Sequence, residues 1–245
     1  MEKVSSEDQK FHHVMIALCC VDAPLQVETY IKGAHYFLDQ SADENLAQYF
    51  SNKKKDLKTE YLPLYSWGYF DIMEIMKFEK METFLDLQEL IPYTHTYDQR
   101  YHCGTLVYHD YNFSFNTLAT SYPLTGVSFV KFKEEFFGVI QEGRLLEFFN
   151  SFIPELFKRH ITKPWRVDDI RYSIIWSWGW EDIIILWFSK SYELIKHLIC
   201  KLRALKITDV EKLLDKDWRK KLQKKFKKKN SPLKHCVKFT MTIFS

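Results

Sequence analysis

A seven-residue segment occurs twice in this chain of 245 residues, and the two copies lie 111 positions apart. The first copy, SWGYFDI, covers residues 66–72, and the second, SWGWEDI, covers residues 177–183. Five of the seven positions are identical, and a sixth exchanges Tyr69 for Trp180. The same offset also aligns the apolar segment and the helix-like segment that follow each copy. A match maintained over that length predicts an internal duplication.

Each half of the chain shows the same order of apolar and amphipathic segments. Both halves predict strand, helix, hairpin, helix and strand, with the hairpin turning near Gly68 in the first and near Gly179 in the second. The predicted segments are 12–21, 25–38, 60–78, 79–90 and 101–109 in the first half, then 126–132, 144–160, the hairpin around Gly179, 192–205 and 235–244 in the second. The order β-α-β-β-α-β predicts the α+β, ferredoxin-like fold, in which two helices cover one face of a four-stranded antiparallel sheet.

The duplication predicts two tandem ferredoxin-like domains, residues 1–120 and 121–245. The polar segment 112–124 is the predicted linker because it is rich in Ser, Thr and Asn. The helices of each domain cover one face only, so the second face of each sheet must also be buried. We therefore expect the two domains to pack as an internal pseudo-dimer. Residues 208–230 have no counterpart in the first half, and they predict a helical insertion in the second domain.

The repeated hairpin supplies the candidate ligand-binding residues. A glycine at a hairpin tip permits a positive φ, and the aspartate three positions later begins the next strand. The aspartate either accepts backbone hydrogen bonds in the turn or faces a ligand. Under the second interpretation, the candidate site residues are Trp67, Gly68, Asp71, Trp178, Gly179 and Asp182.

The hairpin residues 68–72 and 179–183, followed by an apolar strand and a helix of spaced leucines, resemble the ligand-sensing domain of the Lrp/AsnC family. The closing sequence VKFTMTIFS is similar to the threonine-containing last strand of that domain. The resemblance implies sheet-to-sheet pairing and the binding of amino acids or other small effectors at subunit interfaces. The chain has no helix-turn-helix ahead of its first copy.

Two other resemblances give alternatives. The strand order is similar to the palm domain of nucleotidyl cyclases and polymerases, which implies that Asp22 and Asp71 hold Mg²⁺ for nucleotidyl transfer. The length and the duplication resemble CRISPR-associated endoribonucleases built from two ferredoxin-like halves, which implies RNA binding or processing.

Basic residues are concentrated in one segment. The formal net charge of the chain is +3, but residues 218–238 contain ten Lys or Arg and no Asp or Glu. Because the remainder is acidic, a broad nucleic-acid-binding face is not expected, and nucleic acid could be contacted only through this segment. Its apolar stripe predicts a helix that docks on a protein partner or on a second copy. The alternatives are a surface helix whose lysines are solvated, or contact with an anionic membrane surface or with nucleic-acid phosphates. The candidate contact residues are Trp218, Arg219, Lys220, Lys221, Lys224, Lys225 and Lys228.

The remaining patterns concern location and chemistry. The polar N-terminus is unlike a signal peptide, and the five cysteines form no CxxC pair, which together predict a cytoplasmic protein. The longest apolar stretch, 172–188, contains Glu181 and Asp182, so no membrane span is expected. No nucleophile motif or metal-ligand spacing is present, so no cofactor is predicted. The sequence as a whole predicts a non-catalytic sensing or protein-interaction module that binds a small effector or regulates a partner.

Overall fold

The computed structural model describes residues 12–21, 60–66, 72–80, 96–110, 113–134, 136, 145–206, 220, 224 and 233–242. The chain divides into two compact units, residues 1–106 with 244–245 and residues 107–243. This division precedes the boundary that the sequence predicts near residue 120.

The first unit contains an antiparallel sheet. Its strands are β1 (His13–Val21), β2 (Glu60–Ser66), β3 (Ile72–Phe78) and β4 (Thr96–Tyr108). β1 pairs with β3 and β4, and β2 pairs with the other edge of β3, so the strand order is β4-β1-β3-β2. This is the strand order of the ferredoxin-like unit. The helices predicted at 25–38 and 79–90 lie outside the described residues.

The second unit has the same order with its helices described. Its strands are β5 (Leu124–Phe132), β6 (Ile170–Ser177), β7 (Ile183–Ser189) and β8 (Leu233–Thr242), in the order β8-β5-β7-β6. The helices are α1 (Phe115–Ser121), α2 (Leu145–His160) and α3 (Tyr192–Arg203). The α+β, ferredoxin-like class predicted from the sequence is confirmed.

One local prediction was wrong, because the expected linker at 112–124 contains the helix α1. The Ser114 side chain caps this helix by accepting the Thr117 N–H, and Phe115 and Leu118 are buried. Serine and threonine are preferred helix caps as well as loop residues, so composition alone did not distinguish a capped helix from a linker.

The strand pairing within the second unit repeats the pairing within the first unit at a constant sequence offset. His13 pairs with Phe78 in the first unit, and Leu124 pairs with Ser189 in the second. Each residue of the second pair lies 111 positions after its counterpart in the first pair. The register shifts between Cys20 and Val21 in one unit and between Lys131 and Phe132 in the other, which is again an offset of 111. The repeat therefore extends from the sequence to strand pairing and to the position of a β-bulge.

The last strand shows where the second unit is longer. Thr105 of β4 pairs with His13, whereas Thr242 of β8 pairs with Leu124, so β8 follows β4 by 137 positions rather than 111. The additional residues lie between β7 and β8, where the sequence places the basic segment.

The core of the second unit lies between its sheet and two helices. β7 is rich in isoleucine and aromatic residues, and its side chains are buried on both faces of the sheet. The helix α3 begins at the cap Ser191, and the spacing of Leu194, Leu198 and Leu202 places their side chains in the core. The fold of each unit alone does not establish the predicted packing of the two units as an internal pseudo-dimer.

Candidate functional site

The hairpin between β6 and β7 is held by hydrogen bonds within it and by one to its neighbouring strand. The Ser177 N–H donates to the Asp182 carbonyl oxygen over 3.1 Å, and the Asp182 N–H donates to the Val130 carbonyl oxygen over 2.9 Å. The Gly179 N–H donates to the Ser177 hydroxyl oxygen over 3.1 Å. These bonds fix the five-residue loop 178–182 on the end of a buried sheet.

The Asp182 carboxylate connects this hairpin to the bulge in β5. One carboxylate oxygen accepts the Phe132 N–H over 2.6 Å, and the other accepts a hydrogen bond from Lys131 Nζ over 3.0 Å. The two charged side chains are about one-fifth exposed, at 17% for Asp182 and 23% for Lys131. A bulge leaves a backbone N–H without its ladder partner, and Asp182 supplies the missing acceptor.

Three tryptophans project from the same hairpin. Trp176 is 42% exposed, Trp178 is 41% exposed and Trp180 is 64% exposed. Isolated apolar side chains at a surface need no explanation, but three exposed indoles within five residues concentrate apolar surface of the kind that marks an interaction site. We refer to Trp176, Trp178 and Trp180 as the tryptophan patch.

The described charged residues at the hairpin end of the second unit carry equal numbers of positive and negative charges. Pairing of Val130 with Ile183 and of Phe132 with Leu233 places the end of β5 and the start of β8 beside the hairpin. The described charged residues at this end are three lysines and three carboxylates: Lys131, Lys133, Lys234, Glu134, Glu181 and Asp182. Among the residues that the structure describes, the tryptophan patch therefore lies in surroundings without a formal excess of either charge.

The structure brings together the second-copy residues that the sequence selected. Trp178, Gly179 and Asp182 all lie in the loop of the hairpin, but Asp182 makes the turn-carboxylate contacts described above. Gly179 does not adopt the left-handed backbone region, contrary to the expectation for a hairpin tip, and a Cβ there would meet only ordinary contacts at 3.7 and 3.8 Å. Sequence reasoning missed Trp176, Trp180 and Lys131 as site residues, although the alternating tryptophans of WSWGW were a usable signal.

Several predicted site residues lie outside the described residues. These are Asp22, Trp67, Gly68, Asp71, Trp218, Arg219, Lys221, Lys225 and Lys228. Of the basic segment, Lys220 and Lys224 are described, and both are helical and exposed. The anion or partner contact proposed for this segment, and the Mg²⁺ alternative at Asp22 and Asp71, therefore stay predictions. Among the residues that the structure does describe, no three His, Cys, Asp or Glu side chains are grouped as a metal site.

A second polar cluster lies inside the unit. His109 Nε2 donates to the Phe113 carbonyl oxygen over 2.8 Å, so Nδ1 accepts the Ser173 hydroxyl hydrogen over 2.7 Å. A serine bonded to an oriented imidazole resembles a nucleophile and its base. However, Ser173 has no exposed surface and His109 is only 5% exposed, so a substrate does not reach the pair. We interpret it as a structural contact.

The comparisons with known proteins show a fold and no family. No protein-family model matches the chain, and no curated protein matches it. Solved structures of chlorite dismutases are similar over nearly its whole length. An arginine-to-glutamate variant of the enzyme from Candidatus Nitrospira defluvii has a TM-score of 0.51 at 14% identity, covering 95% of this chain and 92% of that one. A protein provisionally named as a chlorite dismutase has a TM-score of 0.56 at 8% identity, covering 97% and 96%.

These comparisons correct the function predicted from the sequence. The reported neighbours are chlorite dismutases, which are enzymes, so the expectation of a non-catalytic sensing or protein-interaction module is contradicted. The ferredoxin-like part of the predicted resemblance is confirmed, but its assignment to the Lrp/AsnC sensing domain is not supported. At identities of 8% and 14%, the structural similarity shows a shared fold and does not show which reaction, if any, this chain catalyses. In the part of the chain that the structure describes, no helix is long and apolar enough to cross a membrane.

Proposed function

We propose that this protein works at a lipid–water interface, to which it attaches through the tryptophan patch. The observation that carries the proposal is the exposure of 41–64% at all three tryptophans of one rigid hairpin. Indole rings combine a large apolar surface with one N–H donor, and they concentrate at membrane surfaces for that reason.

The contacts around the hairpin favour a lipid surface over a ligand that needs orienting polar groups. The Asp182 carboxylate is engaged by Lys131 and by the Phe132 N–H, and the Ser177 hydroxyl is engaged by the Gly179 N–H. A sugar or nucleotide site requires polar groups that remain available for the ligand. What the hairpin offers to its surroundings is chiefly indole surface.

The size of the patch is sufficient for measurable attachment. An aromatic side chain buries roughly 200 Å² when covered, and covering the exposed half at ~25 cal/mol per Å² contributes about 2 kcal/mol. Three such side chains contribute about 6 kcal/mol before the costs of association. Because ~1.4 kcal/mol corresponds to tenfold in affinity, about 2 kcal/mol from each tryptophan should change vesicle partitioning about thirtyfold.

The test is binding of the full chain to neutral phosphatidylcholine vesicles, measured by cosedimentation and by quenching of indole fluorescence with brominated lipid. Replacing Trp176, Trp178 and Trp180 together by serine should weaken partitioning more than a hundredfold. The matched control is Tyr192→Ser, because Tyr192 is 43% exposed but begins α3, beyond the opposite end of β7. Equal partitioning of the triple variant and the parent would refute the proposal.

Salt separates this proposal from attachment through the basic segment. The described charged residues around the tryptophan patch balance, which predicts binding to neutral vesicles that high salt leaves unchanged. If only anionic vesicles bind and salt abolishes the binding, the lysines around Lys220 and Lys224 carry the attachment and the proposal fails.

We also infer that the two units are tandem copies, and we retain the internal pseudo-dimer as a proposal. The shared register and the shared bulge position support the duplication. The complete burial of Ile184, Leu186 and Phe188, on the face of β7 that points away from α2 and α3, supports the view that both sheet faces are covered. A cytoplasmic location and a protein or homo-oligomeric partner stay predictions.

The chlorite dismutase fold raises the question of a redox cofactor. Dismutation of chlorite is a redox reaction, and side chains alone do not supply such chemistry, so the fold class implies a group such as haem. The described residues do not fit a haem between the sheet and helices of the second unit. We therefore derive no reaction through such a group.

A further inference from the structure

The space between the sheet and helices of the second unit is filled around Trp187. This side chain has no exposed surface, and its Nε1 donates to the Ser128 hydroxyl oxygen over 3.0 Å. The Phe157 ring from α2 lies 4.8 Å from the indole, and the Tyr172 ring from β6 lies 6.5 Å away, both measured between ring centroids. The indole therefore occupies the centre of the layer in which a planar cofactor would have to lie.

Other aromatic rings extend this packing to the sides. Tyr172 stacks on Tyr108 with centroids 4.9 Å apart and meets Phe157 edge to face at 4.9 Å. Phe132 stacks on Phe136 at 5.2 Å, and both are at most 1% exposed. Close-packed rings of this kind leave no opening of the size of a porphyrin.

The helix α3 also approaches the sheet closely. A Cβ placed on Gly126 of β5 would lie 3.2 Å from Ile195 Cγ2 and 3.4 Å from Trp187 Cδ1. A gap that barely admits one methyl group does not admit a macrocycle. Gly126 therefore marks a point where helix and sheet are in direct contact.

Three potential iron ligands in the described part of this unit are also poorly suited to hold haem iron. Haem iron is held by a histidine, thiolate, methionine or tyrosinate ligand. Both nitrogens of His109 are engaged, and His197 Nε2 donates to the His160 carbonyl oxygen over 3.2 Å while its ring packs on Trp165. Burial, together with the neighbouring Tyr108, raises the pKa of the Tyr172 phenol, which disfavours the tyrosinate that iron requires.

We infer that this chain retains the chlorite dismutase fold without taking haem between the sheet and helices of its second unit. In this protein, that space is a closed aromatic core. The inference does not depend on the tryptophan patch, and it stands or falls separately from the lipid proposal.

The test is titration of the full chain with hemin, followed by visible absorbance and by thermal unfolding. We expect no saturable complex, with the absorbance of free hemin unchanged and no rise in the unfolding temperature. A one-to-one complex with a shifted Soret band that is lost in His160→Ala or in His197→Ala would overturn the inference. A complex that survives both replacements and leaves the unfolding temperature unchanged is surface binding, and the inference then stands.

Trp187→Ala provides a second measurement. If the indole fills the haem layer, removing it creates a cavity, so hemin affinity should rise above that of the parent provided the variant still folds. Trp187→Phe, which keeps most of the ring volume, is the control and should behave like the parent. Tight hemin binding by the parent that Trp187→Ala leaves unchanged, with the unfolding temperature raised in both proteins, would also overturn the inference.

Discussion

The Asp182 carboxylate accepts the Phe132 N–H over 2.6 Å, although the two residues lie 50 positions apart in the chain. The bond joins the start of β7 to the bulge of β5, and Lys131 holds the second carboxylate oxygen. Bulges are local departures from ladder pairing, and they persist when another group satisfies the freed N–H. The tryptophan patch thus lies on a hairpin that these hydrogen bonds connect to β5 of the sheet.

Replacing Asp182 by alanine should lower the free energy of unfolding by about 2 kcal/mol, because it leaves the largely buried Lys131 and the Phe132 N–H without their acceptor. Asp182→Asn keeps an acceptor oxygen for the N–H and loses only the charge, so it should lose about half as much. Urea denaturation of the two variants beside the parent measures both effects. A loss below about 0.5 kcal/mol in the alanine variant would contradict the assigned role.

Two glycines should respond differently to alanine. At Gly126 a Cβ meets Ile195 Cγ2 at 3.2 Å, so Gly126→Ala must push α3 from the sheet and should destabilise the protein by about 1–3 kcal/mol. At Gly179 the nearest atoms are at 3.7 and 3.8 Å and the backbone is not left-handed, so Gly179→Ala should change stability by less than about 0.5 kcal/mol. Thermal unfolding of both variants decides this, and a larger loss at Gly179 would reverse the interpretation.

How much of the fold and of the candidate site could be predicted from the sequence depends on how far apart the interacting residues lie along the chain. Apolar alternation and the repeat predicted the strands. The strand pairing shows the same offset of 111 as the sequence repeat, because register follows the pattern of buried side chains. The turn-carboxylate interpretation of Asp182 followed from residue type alone. In contrast, nothing local in the sequence signals that Ser173 bonds His109, 64 positions away. The exposure of Trp176 was also hidden, because an aromatic residue in a strand fits a core equally well.

Thr125 presents a buried hydroxyl that has no hydrogen-bond partner among the described residues. Its side chain has no exposed surface, and its Oγ1 makes no hydrogen bond within that part of the chain. Replacing this hydroxyl by a methyl group removes an uncompensated desolvation penalty, so Thr125→Val should raise the free energy of unfolding by about 1 kcal/mol. Thr125→Ser keeps the hydroxyl and removes a methyl group, so it should not stabilise. A valine variant less stable than the parent in urea would show that the hydroxyl has a partner.

Acid should destabilise the first unit through two adjacent histidines. Burial, with a smaller contribution from Lys77, lowers the pKa of His12, and burial lowers the pKa of His13. Below the ordinary value of about 6.5, the unfolded imidazoles bind protons that the folded ones do not. The free energy of unfolding should therefore fall as the pH drops below about 6.5, and it should level off below the folded pKa values.

The His12→Gln, His13→Gln double variant tests this assignment. Glutamine does not titrate, so the difference in unfolding free energy between neutral pH and about pH 5.5 should be smaller than in the parent. Because each protein is compared with itself at two pH values, a general loss of stability does not affect the result. An unchanged pH dependence in the double variant would assign the acid sensitivity to other groups.

Two cysteines should differ in their reactivity towards alkylating reagents. Burial raises the pKa of Cys103 to about 11, so at pH 8 only ~0.1% of this thiol is the reactive thiolate. Cys200 is exposed on α3. Brief treatment with iodoacetamide followed by peptide mass spectrometry should therefore label Cys200 at least about tenfold faster than Cys103. Urea should remove the difference, because unfolding exposes both thiols, and equal labelling of the native protein would contradict the burial of Cys103.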